Sequence, residues 1–371
     1  MELTKCKLGE LITQRREKND GSDLPICGVS KDGLIPPKQI DADTSIYNVF
    51  YRDDFIFNPA RMELNSIAIN DRYDRAICSS LYEVFFVHRT DLLLPHYLKL
   101  IVKQPWFTRY CEFLGQGSAR EYCRFNNISE IEVEFPSIEE QQKVIDYYAS
   151  IQNRIDIKKQ INDNLEAQAS AIYHSLFDEC SEWVKGSVSD FGEVIGGATP
   201  SKDIDDYFCS DGIVWLTPKD LTSTGKKFIY KGETDITDAA YRSCSTKLMP
   251  KGSVLLTSRA PVGCVAIAMT ELCTNQGFKS IVPSKKIGTA FVYYFLKENK
   301  QLLESHSSGT TFMEISGNVL KEIPVSIPPE ELTQKFADLC KPIFRHQEQV
   351  EAEIDHLLEL QRTMVSQISS R

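Results

Sequence analysis

The sequence predicts an α/β (α+β) protein in which two similar domains, related by a pseudo-twofold axis, are joined by a pair of long antiparallel helices. Three observations lead to this prediction: an internal repeat, a change from strand-like to helix-like apolar spacing in each copy, and short β-like runs separated by Gly and Pro. The length of 371 residues agrees with it, because at roughly 150 residues per domain the chain can hold two or three.

The internal repeat aligns the chain with itself after a shift of 192 residues, which places Pro136 on Pro328 and Gln142 on Gln334. The alignment continues for about 60 residues without a gap and keeps apolar character at matching positions. A chance likeness of two amphipathic helices is the alternative, but a gapless register of this length is hard to obtain by chance. We therefore expect two copies of one domain-and-helix unit.

Each copy changes its apolar period at the same point. The alternating residues Ile131, Val133 and Phe135 of the first copy indicate a half-buried strand. A proline and acidic residues follow, which suit the first turn of a helix. Apolar residues then recur at intervals of three and four, as in a coiled coil. The seam residues are Val144, Tyr148, Ile151, Ile155, Leu165, Ala169, Ile172 and Leu176 in the first helix, and Leu332, Phe336, Leu339, Ile343, Val350, Ile354, Leu357, Leu358, Val365 and Ile368 in the second.

Two arrangements of the helices fit this spacing. Each helix could pack on its own domain, or the two could pair as an antiparallel coiled coil, which we favour because both follow equivalent domains. Helices of ~40 residues at about 1.5 Å per residue would form a rod approaching ~60 Å. Asp156 and Glu351 are expected on the exposed side of such a pair.

Short β-like runs predict mixed sheets in both large segments. In the first, strands near 66–69 and 81–87 precede a helix at 95–102; in the second, strands near 212–216, 253–257, 262–268 and 279–282 precede a helix at 290–297. The predicted boundaries are 1–136 for the first domain, 137–180 for the first helix, 181–328 for the second domain and 329–371 for the second helix.

The formal net charge of −10 is concentrated in the predicted helices. Residues 137–180 and 329–371 contribute −4 and −3, whereas the two domains contribute −3 and 0. A near-neutral domain can still carry one basic face, so the net charge does not exclude nucleic acid as a partner.

Composition excludes several classes of protein. The chain has 11 cysteines and no Cys-x-x-Cys pair, which argues against a disulfide framework or a structural zinc site and fits a reducing cytoplasm. No apolar run reaches the ~20 residues of a membrane helix, and the N-terminus lacks the apolar core of a secretion signal. We expect neither a membrane protein nor a secreted one.

Catalytic motifs are absent from the sequence. Asn58-Pro59 begins like the motif of an amino-methyltransferase, but the aromatic residue that stacks on a flipped base does not follow. Gly196-Gly197 lacks the remaining spacing of a dinucleotide loop, and there is no Gly-Lys-Ser/Thr phosphate loop. Six scattered histidines show no metal-ligand spacing. We therefore expect no catalytic residues, no metal and no cofactor in this chain.

Several short strings, in this order and around this repeat, resemble the specificity subunit of type I restriction-modification systems. In the second half the strings are Gly192–Ser201, Trp215–Asp220, Pro250–Arg259, Asn275–Gly277, Ser307–Thr311 and Ile323–Pro329. In the first half they are Phe57–Arg61, Ile67–Ile69 and Gln116–Arg120, which resemble a different class of recognition domain. The resemblance covers nearly the whole chain.

The resemblance implies a non-catalytic subunit that reads a split, asymmetric target in double-stranded DNA. Each domain would be a target-recognition domain for one half, and the helices would form a spacer that sets the gap. The half-sites would lie about one helical turn, roughly 34–36 Å, apart. Two modification subunits with S-adenosylmethionine would pack on the acidic helices, and restriction subunits would add ATP- and Mg-dependent cleavage. The alternatives are a bivalent scaffold that binds protein or glycan, and a stand-alone DNA methyltransferase or nuclease.

Loop residues with suitable chemistry are the DNA-binding candidates. Lys and Arg can contact phosphate, whereas Arg, Asn and Gln can pair with the edges of guanine or adenine. Arg61 and Arg259 stand out because each follows a strand-like run within a family string. Any one candidate could instead be a solvated charge or a turn residue. The candidates are Lys31, Arg52, Asn58, Arg61, Arg72, Gln116, Ser118, Arg120 and Arg124 in the first domain, and Thr199, Ser201, Lys202, Lys219, Lys226, Arg259, Asn275, Gln276, Lys279, Thr310 and Thr311 in the second.

Overall fold

The structure is a computed structural model that describes residues 3–37, 39–40, 43–115, 122–178, 183–259, 261–309 and 313–368. It divides into two compact units. Unit 1 comprises Met1–Asp156 and His356–Arg371, and unit 2 comprises Ile157–Asp355. The division falls inside both long helices, so each unit contains one part of each helix.

Unit 1 combines two four-stranded sheets with a two-stranded ribbon, in the orders β2-β9-β6-β7, β4-β3-β8-β5 and β1-β10. Its strands are β1 (Thr4–Lys7), β2 (Ile12–Arg15), β3 (Ile26–Ser30), β4 (Gly33–Ile35), β5 (Asn48–Tyr51), β6 (Phe55–Phe57), β7 (Ile67–Ile69), β8 (Arg75–Cys78), β9 (Glu83–Val87) and β10 (Glu132–Phe135). Its helices are α1 (Pro95–Val102), α2 (Pro105–Gly115), α3 (Phe125–Ser129) and the first part of α4 (Ile138–Phe177).

Strand β6 shows why this sheet is buried on both faces. Successive side chains of a strand point to opposite faces. Phe55 and Phe57 pack with Phe85 and the helices in one cluster, whereas Ile56 packs with Phe50 and the other sheet. The rings of Phe55 and Phe85 stack with their centroids 5.0 Å apart. A strand covered on both sides has apolar residues at every position, which explains the unbroken Phe-Ile-Phe run.

Unit 2 contains a five-stranded sheet, a four-stranded sheet and a two-stranded ribbon, in the orders β12-β20-β17-β18-β15, β13-β16-β14-β19 and β11-β21. Its strands are β11 (Val184–Ser187), β12 (Gly192–Gly196), β13 (Phe208–Cys209), β14 (Ile213–Leu216), β15 (Phe228–Ile229), β16 (Asp235–Ile236), β17 (Val254–Leu256), β18 (Val265–Ala268), β19 (Cys273–Thr274), β20 (Lys279–Pro283) and β21 (Pro324–Ile327). Its helices are α5 (Pro218–Thr224), α6 (Asp238–Ser243), α7 (Gly288–Glu298), α8 (Lys300–Ser305), α9 (Gly317–Glu322) and most of α10 (Glu330–Ile368).

The sequence repeat corresponds to a repeat of structure. In each unit the first strand pairs antiparallel with the strand that precedes a long helix, β1 with β10 and β11 with β21. Each long helix is then tied to its own domain near its start. The buried Gln141 donates to the carbonyl oxygens of Leu92 and Pro136. Its counterpart 192 residues on, the buried Thr333, donates to the carbonyl oxygen of Lys286.

Within each unit the two long helices contact one another. In unit 1, Gln361 donates to the side-chain oxygen of Gln152 at 3.0 Å. In unit 2, Gln347 donates to Glu166 at 2.9 Å, and Phe336 lies 5.3 Å from Phe177 between ring centroids. Partners with rising numbers on α4 have falling numbers on α10. The predicted antiparallel pairing is therefore confirmed, as are the two lengths near 40 residues.

Two predictions about the helix surfaces are wrong. Leu339, assigned to the seam, is 43% exposed, because Cys340 takes the buried position one turn after Phe336. Glu351, expected on the exposed side, is 9% exposed and accepts hydrogen bonds from the backbone N–H groups of Lys227 and Phe228. The carboxylate of Glu351 thus satisfies backbone N–H groups at the edge of the domain, which explains why a glutamate lies buried beside the helix seam.

Candidate nucleic-acid interface

Backbone hydrogen bonds hold four family strings of unit 2 and the segment around Ile315 together. These five segments span more than 100 residues of the chain, yet each is bonded to another, so their side chains share one region of the surface. The bonds run from the N–H of Ala198 to the carbonyl oxygen of Thr274 (3.0 Å), from Asn275 to Leu216 (2.9 Å), from Ser258 to Gly277 (2.8 Å) and from Ile315 to Ser258 (3.0 Å).

Glycine is required where these loops approach most closely. A Cβ atom at Gly197 would lie 2.0 Å from the carbonyl oxygen of Thr274, and one at Gly277 would lie 2.7 Å from the ring of Pro218. Trp215 reinforces the junction, because its indole N–H donates to the carbonyl oxygen of Ala198 at 3.0 Å. The Gly, Trp and Pro of the family strings therefore pack the loops, whereas the polar residues beside them remain at the rim.

The rim of these loops carries Thr199, Arg259, Gln276, Lys279 and Glu314, which we call the rim cluster. Thr199 donates a short hydrogen bond to the side-chain oxygen of Gln276. Lys279 donates to the carbonyl oxygen of Gln276 at 3.2 Å. Glu314 lies 3.9 Å from both Lys279 and Arg259. Burial lowers the pKa of Lys279; the carboxylate of Glu314 opposes this shift, and the charge of Arg259 adds to it.

The other candidates of unit 2 make more local contacts. Ser201 accepts a hydrogen bond from the backbone N–H of Asp203 in a turn, and Asn275 accepts one from the N–H of Gly277. Lys202 is exposed. Lys219 donates to Glu233 at 2.7 Å and Lys226 donates to Asp355 on α10 at 2.6 Å, so Lys226 faces the helix. Thr310 and Thr311 lie outside the described residues.

In unit 1, three candidates line one groove of about 910 Å³. Lys31 lies in the turn between β3 and β4. The side chain of Asn58 accepts a hydrogen bond from the N–H of Ala60 and so caps the short 3-10 helix Pro59–Leu64. Arg61 lies in that helix with an exposed side chain. The groove also holds Leu64 and Leu81, which are 59% and 79% exposed.

The remaining candidates of unit 1 are more dispersed. Arg52 donates to Asp74 at 3.0 Å, and Arg72 donates to the carbonyl oxygen of Leu34 at 3.3 Å. Arg124 immediately precedes α3, and its side chain donates to Glu83 at 3.2 Å. Gln116, Ser118 and Arg120 lie outside the described residues.

A family model described as "Type I restriction modification DNA specificity domain" matches residues 40–167 and 180–360, most of the chain. This chain belongs to that family.

Individual relatives match different portions of this chain. The type I restriction enzyme MjaIX specificity subunit of Methanocaldococcus jannaschii is 44% identical over 158 residues, which cover 42% of this chain and only 36% of that relative. The HindI specificity subunit of Haemophilus influenzae is 21% identical over 333 residues, which cover 68% of this chain and 72% of that relative. A crystal structure of the S subunit from M. genitalium shares the fold, with a TM-score of 0.60 at 13% identity over 99% of this chain and 96% of that one.

Sequence reasoning missed two charged residues of this family member that are partly buried. Lys103 donates to the carbonyl oxygens of Lys31 and Ile67, and burial lowers its pKa to about 8. Arg15 forms a two-pronged ion pair with Asp54. Glu314 was missed as well, because an isolated acidic residue in a loop carries no signal in the sequence.

Among the described residues, His, Cys, Asp and Glu form no group of three or more that could hold a metal ion. Within the same ranges no helix combines the length and apolar character needed to cross a membrane.

Proposed function

We propose that this chain is the DNA-recognition subunit of a type I restriction-modification complex, and that it directs methylation or cleavage of DNA by partner subunits. The observation that carries the proposal is the rim cluster of unit 2. Three family strings that are distant in sequence contribute Thr199, Arg259 and Gln276 to it, and these residues carry donors and acceptors of the kinds that contact phosphates and base edges.

The ordered backbone of these converging loops suits them to recognise a DNA sequence. Because four hydrogen bonds between separate segments and two close glycine contacts already order the loops, DNA binding costs little further conformational entropy. Ordered loops also keep donors and acceptors at defined separations, which selection among bases requires. Arg259 and Gln276 supply a guanidinium and an amide for base edges, and Lys279 adds positive charge close to them.

The two units offer different chemistry, so the target is asymmetric. Unit 1 presents Arg61, Lys31 and the exposed Leu64 and Leu81 around one groove. Leucine side chains suit the methyl group of thymine, whereas the rim cluster of unit 2 is polar and charged. Each unit would then read its own half of a bipartite site in double-stranded DNA.

Partner subunits perform the chemistry in this proposal, and this chain is not itself an enzyme. Two modification subunits with S-adenosylmethionine would methylate the target, and restriction subunits with ATP and Mg would cleave DNA. In each unit the long helices expose apolar side chains that suit protein partners: Tyr147 and Leu360 in unit 1 are 68% and 44% exposed, and Ile157 in unit 2 is 54% exposed. We place the complex in the cytoplasm, where its 11 cysteines stay reduced.

Genome-wide mapping of methylated bases, with and without this gene, tests the proposal. We expect a bipartite asymmetric motif that disappears when the gene is deleted and returns when it is restored. The purified chain alone, incubated with S-adenosylmethionine and DNA, should transfer no methyl group. A motif that survives the deletion, or methylation by the chain alone, contradicts the proposal.

A further inference from the structure

We propose that Arg259 and Glu314 together read one G·C base pair in the half-site of unit 2, with Arg259 on the guanine and Glu314 on the cytosine. The inference rests on the proposed function and deepens it, since it names two specificity-determining residues and the base pair that they select. Glu314 is the new element, because it is an acid on a surface proposed to meet a polyanion.

The backbone presents the two side chains as a pair. Arg259 and Glu314 face each other in an antiparallel bridge. The neighbouring backbone is bonded on both sides, from the N–H of Ile315 to Ser258 and from the N–H of Ser258 to Gly277. The guanidinium and the carboxylate approach to 3.9 Å and are 37% and 41% exposed. Two groups this close can reach the two bases of a single pair.

The guanidinium of Arg259 is available for a ligand. At 3.9 Å its approach to Glu314 is too long for a hydrogen bond, and it donates none to the described residues. Arg15 of unit 1 is the contrasting case, because it donates at 2.6 and 3.1 Å to the two oxygens of the buried Asp54. A planar guanidinium with open donors matches the O6 and N7 acceptors of guanine.

The carboxylate of Glu314 is the less expected partner. Near phosphates an acidic side chain weakens binding, so its place in the rim cluster calls for a compensating role. Both nearby cations, Arg259 and Lys279, lie 3.9 Å from its oxygens, beyond hydrogen-bond distance. Its lone pairs accept no hydrogen bond from the part of the chain that the structure describes, and they suit the amino group of cytosine, the donor that Asp and Glu accept in the major groove.

Lys279 supports the pair without reading a base. Its side chain is only 17% exposed and donates to the carbonyl oxygen of Gln276. The methylene groups run past Gly196 and Gly317, where an added Cβ would lie 3.7 and 3.5 Å from the lysine Cδ. Its charge offsets that of Glu314 locally, while the ammonium group itself stays beside the protein backbone.

The test uses the complete complex with its partner subunits and compares methylated motifs across the genome for wild type, Arg259→Lys, Arg259→Ala and Glu314→Gln. Arg259→Lys keeps the charge but loses the fork of donors. It should therefore relax one G·C position by roughly 5- to 150-fold while the salt dependence of DNA binding is unchanged. Arg259→Ala should relax the same position. Glu314→Gln should relax the same base pair. The other half-site should keep its sequence in every variant.

Glu193→Gln is the matched control. Glu193 forms a similarly long ion pair, 4.0 Å from Lys247, in the same unit, so it undergoes the same charge change outside the rim cluster. We expect the complex with Glu193→Gln to methylate the same DNA motif as the wild-type complex. Thermal unfolding of every variant checks the fold, and Arg259→Lys remains informative if Arg259→Ala does not fold.

Three outcomes overturn the inference. An unchanged motif in Arg259→Lys would mean that Arg259 contacts only phosphate. Tighter DNA binding by Glu314→Gln with an unchanged motif would mean that Glu314 acts only through its charge. A wild-type motif without G·C in either half-site would remove the base pair itself. In all three cases the wild-type complex still methylates a bipartite motif; if it does not, the proposed function fails instead.

Discussion

Removal of the Glu166 charge should destabilise unit 2 far more than removal of its partner Lys227. Lys227 is 5% exposed on its side chain, and its ammonium group donates to Glu166 at 2.9 Å, Tyr294 at 3.0 Å and Gln347 at 3.0 Å. It also lies 3.8 Å from the centroid of the Phe344 ring. Without Glu166, a buried cation loses the carboxylate to which its ammonium group donates.

The size of the effect follows from this geometry. Unit charges at 2.9 Å attract by ~6 kcal/mol in an effective dielectric of about 20. Glu166→Gln keeps the volume and one acceptor, so we expect a loss of about 3 kcal/mol, at the low end of values for broken buried pairs. Lys227→Met should cost about 1 kcal/mol or less, because methionine fills the aromatic surroundings and Glu166 retains Lys297 and Gln347.

The pH dependence gives the prediction its sign. Burial lowers the pKa of Lys227 from 10.5 to about 8, against the opposing charge of Glu166. The unfolded chain therefore binds more protons than the folded one between about pH 8 and 10.5, and stability from this group rises with pH across that window. Above pH 8 the folded lysine is increasingly neutral. The cost of Glu166→Gln should accordingly shrink from about 3 kcal/mol at pH 7 to below ~1 kcal/mol at pH 10.

Low pH acts on Glu166, the other member of the ion pair. Burial alone would raise the pKa of Glu166, but the charges of Lys227 and Lys297 and the hydrogen bond from Gln347 outweigh it and lower the pKa to about 2. The stability that this carboxylate contributes is present above its ordinary pKa of 4.5 and is lost as the pH falls toward 2. Glu166→Gln should lack this acid transition.

Urea unfolding followed by tryptophan fluorescence measures these effects. In a Trp106→Phe background the remaining tryptophans, Trp183 and Trp215, both report on unit 2. For a slope of roughly 2.5 kcal/mol per molar urea, Glu166→Gln should lower the midpoint by about 1 M. Glu304→Gln is the control: it breaks only the exposed pair with Lys300 and should cost less than ~0.5 kcal/mol. Equal losses for Glu166→Gln and Lys227→Met, or a loss independent of pH, would refute the reasoning.

Three further substitutions test other parts of the structure. Gly197→Ala should lower the stability of unit 2 by more than ~2 kcal/mol and abolish sequence-specific binding in a gel-shift assay, because its Cβ would meet two backbone oxygens at 2.0 and 2.3 Å. Gly225→Ala, at a φ of 63° in open space, should cost only about 1 kcal/mol in the same unfolding assay and leave binding intact. Asp54→Asn should destabilise unit 1 by about 3 kcal/mol, read from Trp106 fluorescence, because Arg15, between Tyr51 and Phe86, loses the carboxylate with which it pairs; a loss below ~1 kcal/mol would contradict that role.

The features that the sequence predicted correctly are those encoded by local periodicity. The alternation at Ile131, Val133 and Phe135 corresponds to β10, and the three-four spacing that follows corresponds to α4. The runs near 66–69 and 279–282 are strands β7 and β20. Local patterns are readable because a strand or helix that buries one face must repeat apolar residues at its own period.

Errors arose where a residue's neighbours come from another part of the chain. Glu351 follows the pattern of an exposed helical residue, yet its carboxylate is buried because it accepts hydrogen bonds from the backbone N–H groups of Lys227 and Phe228. Lys226 remains a candidate for phosphate contact, and the structure adds an unforeseen partner, because its ammonium group pairs with Asp355 of α10. Neither partner could be inferred from spacing, since more than 120 residues separate each pair.

By itself, the sequence determined the repeat, the long helices, most of the strands that it marked and the family to which the chain belongs, because each is expressed in local periods and in the order of short strings. Only the tertiary structure decided which polar residues come together. The rim cluster draws Thr199, Arg259, Gln276 and Glu314 from loops that meet through backbone hydrogen bonds and close contacts at glycine. Such contacts depend on where the sheets bring the ends of their strands, and no local period records that.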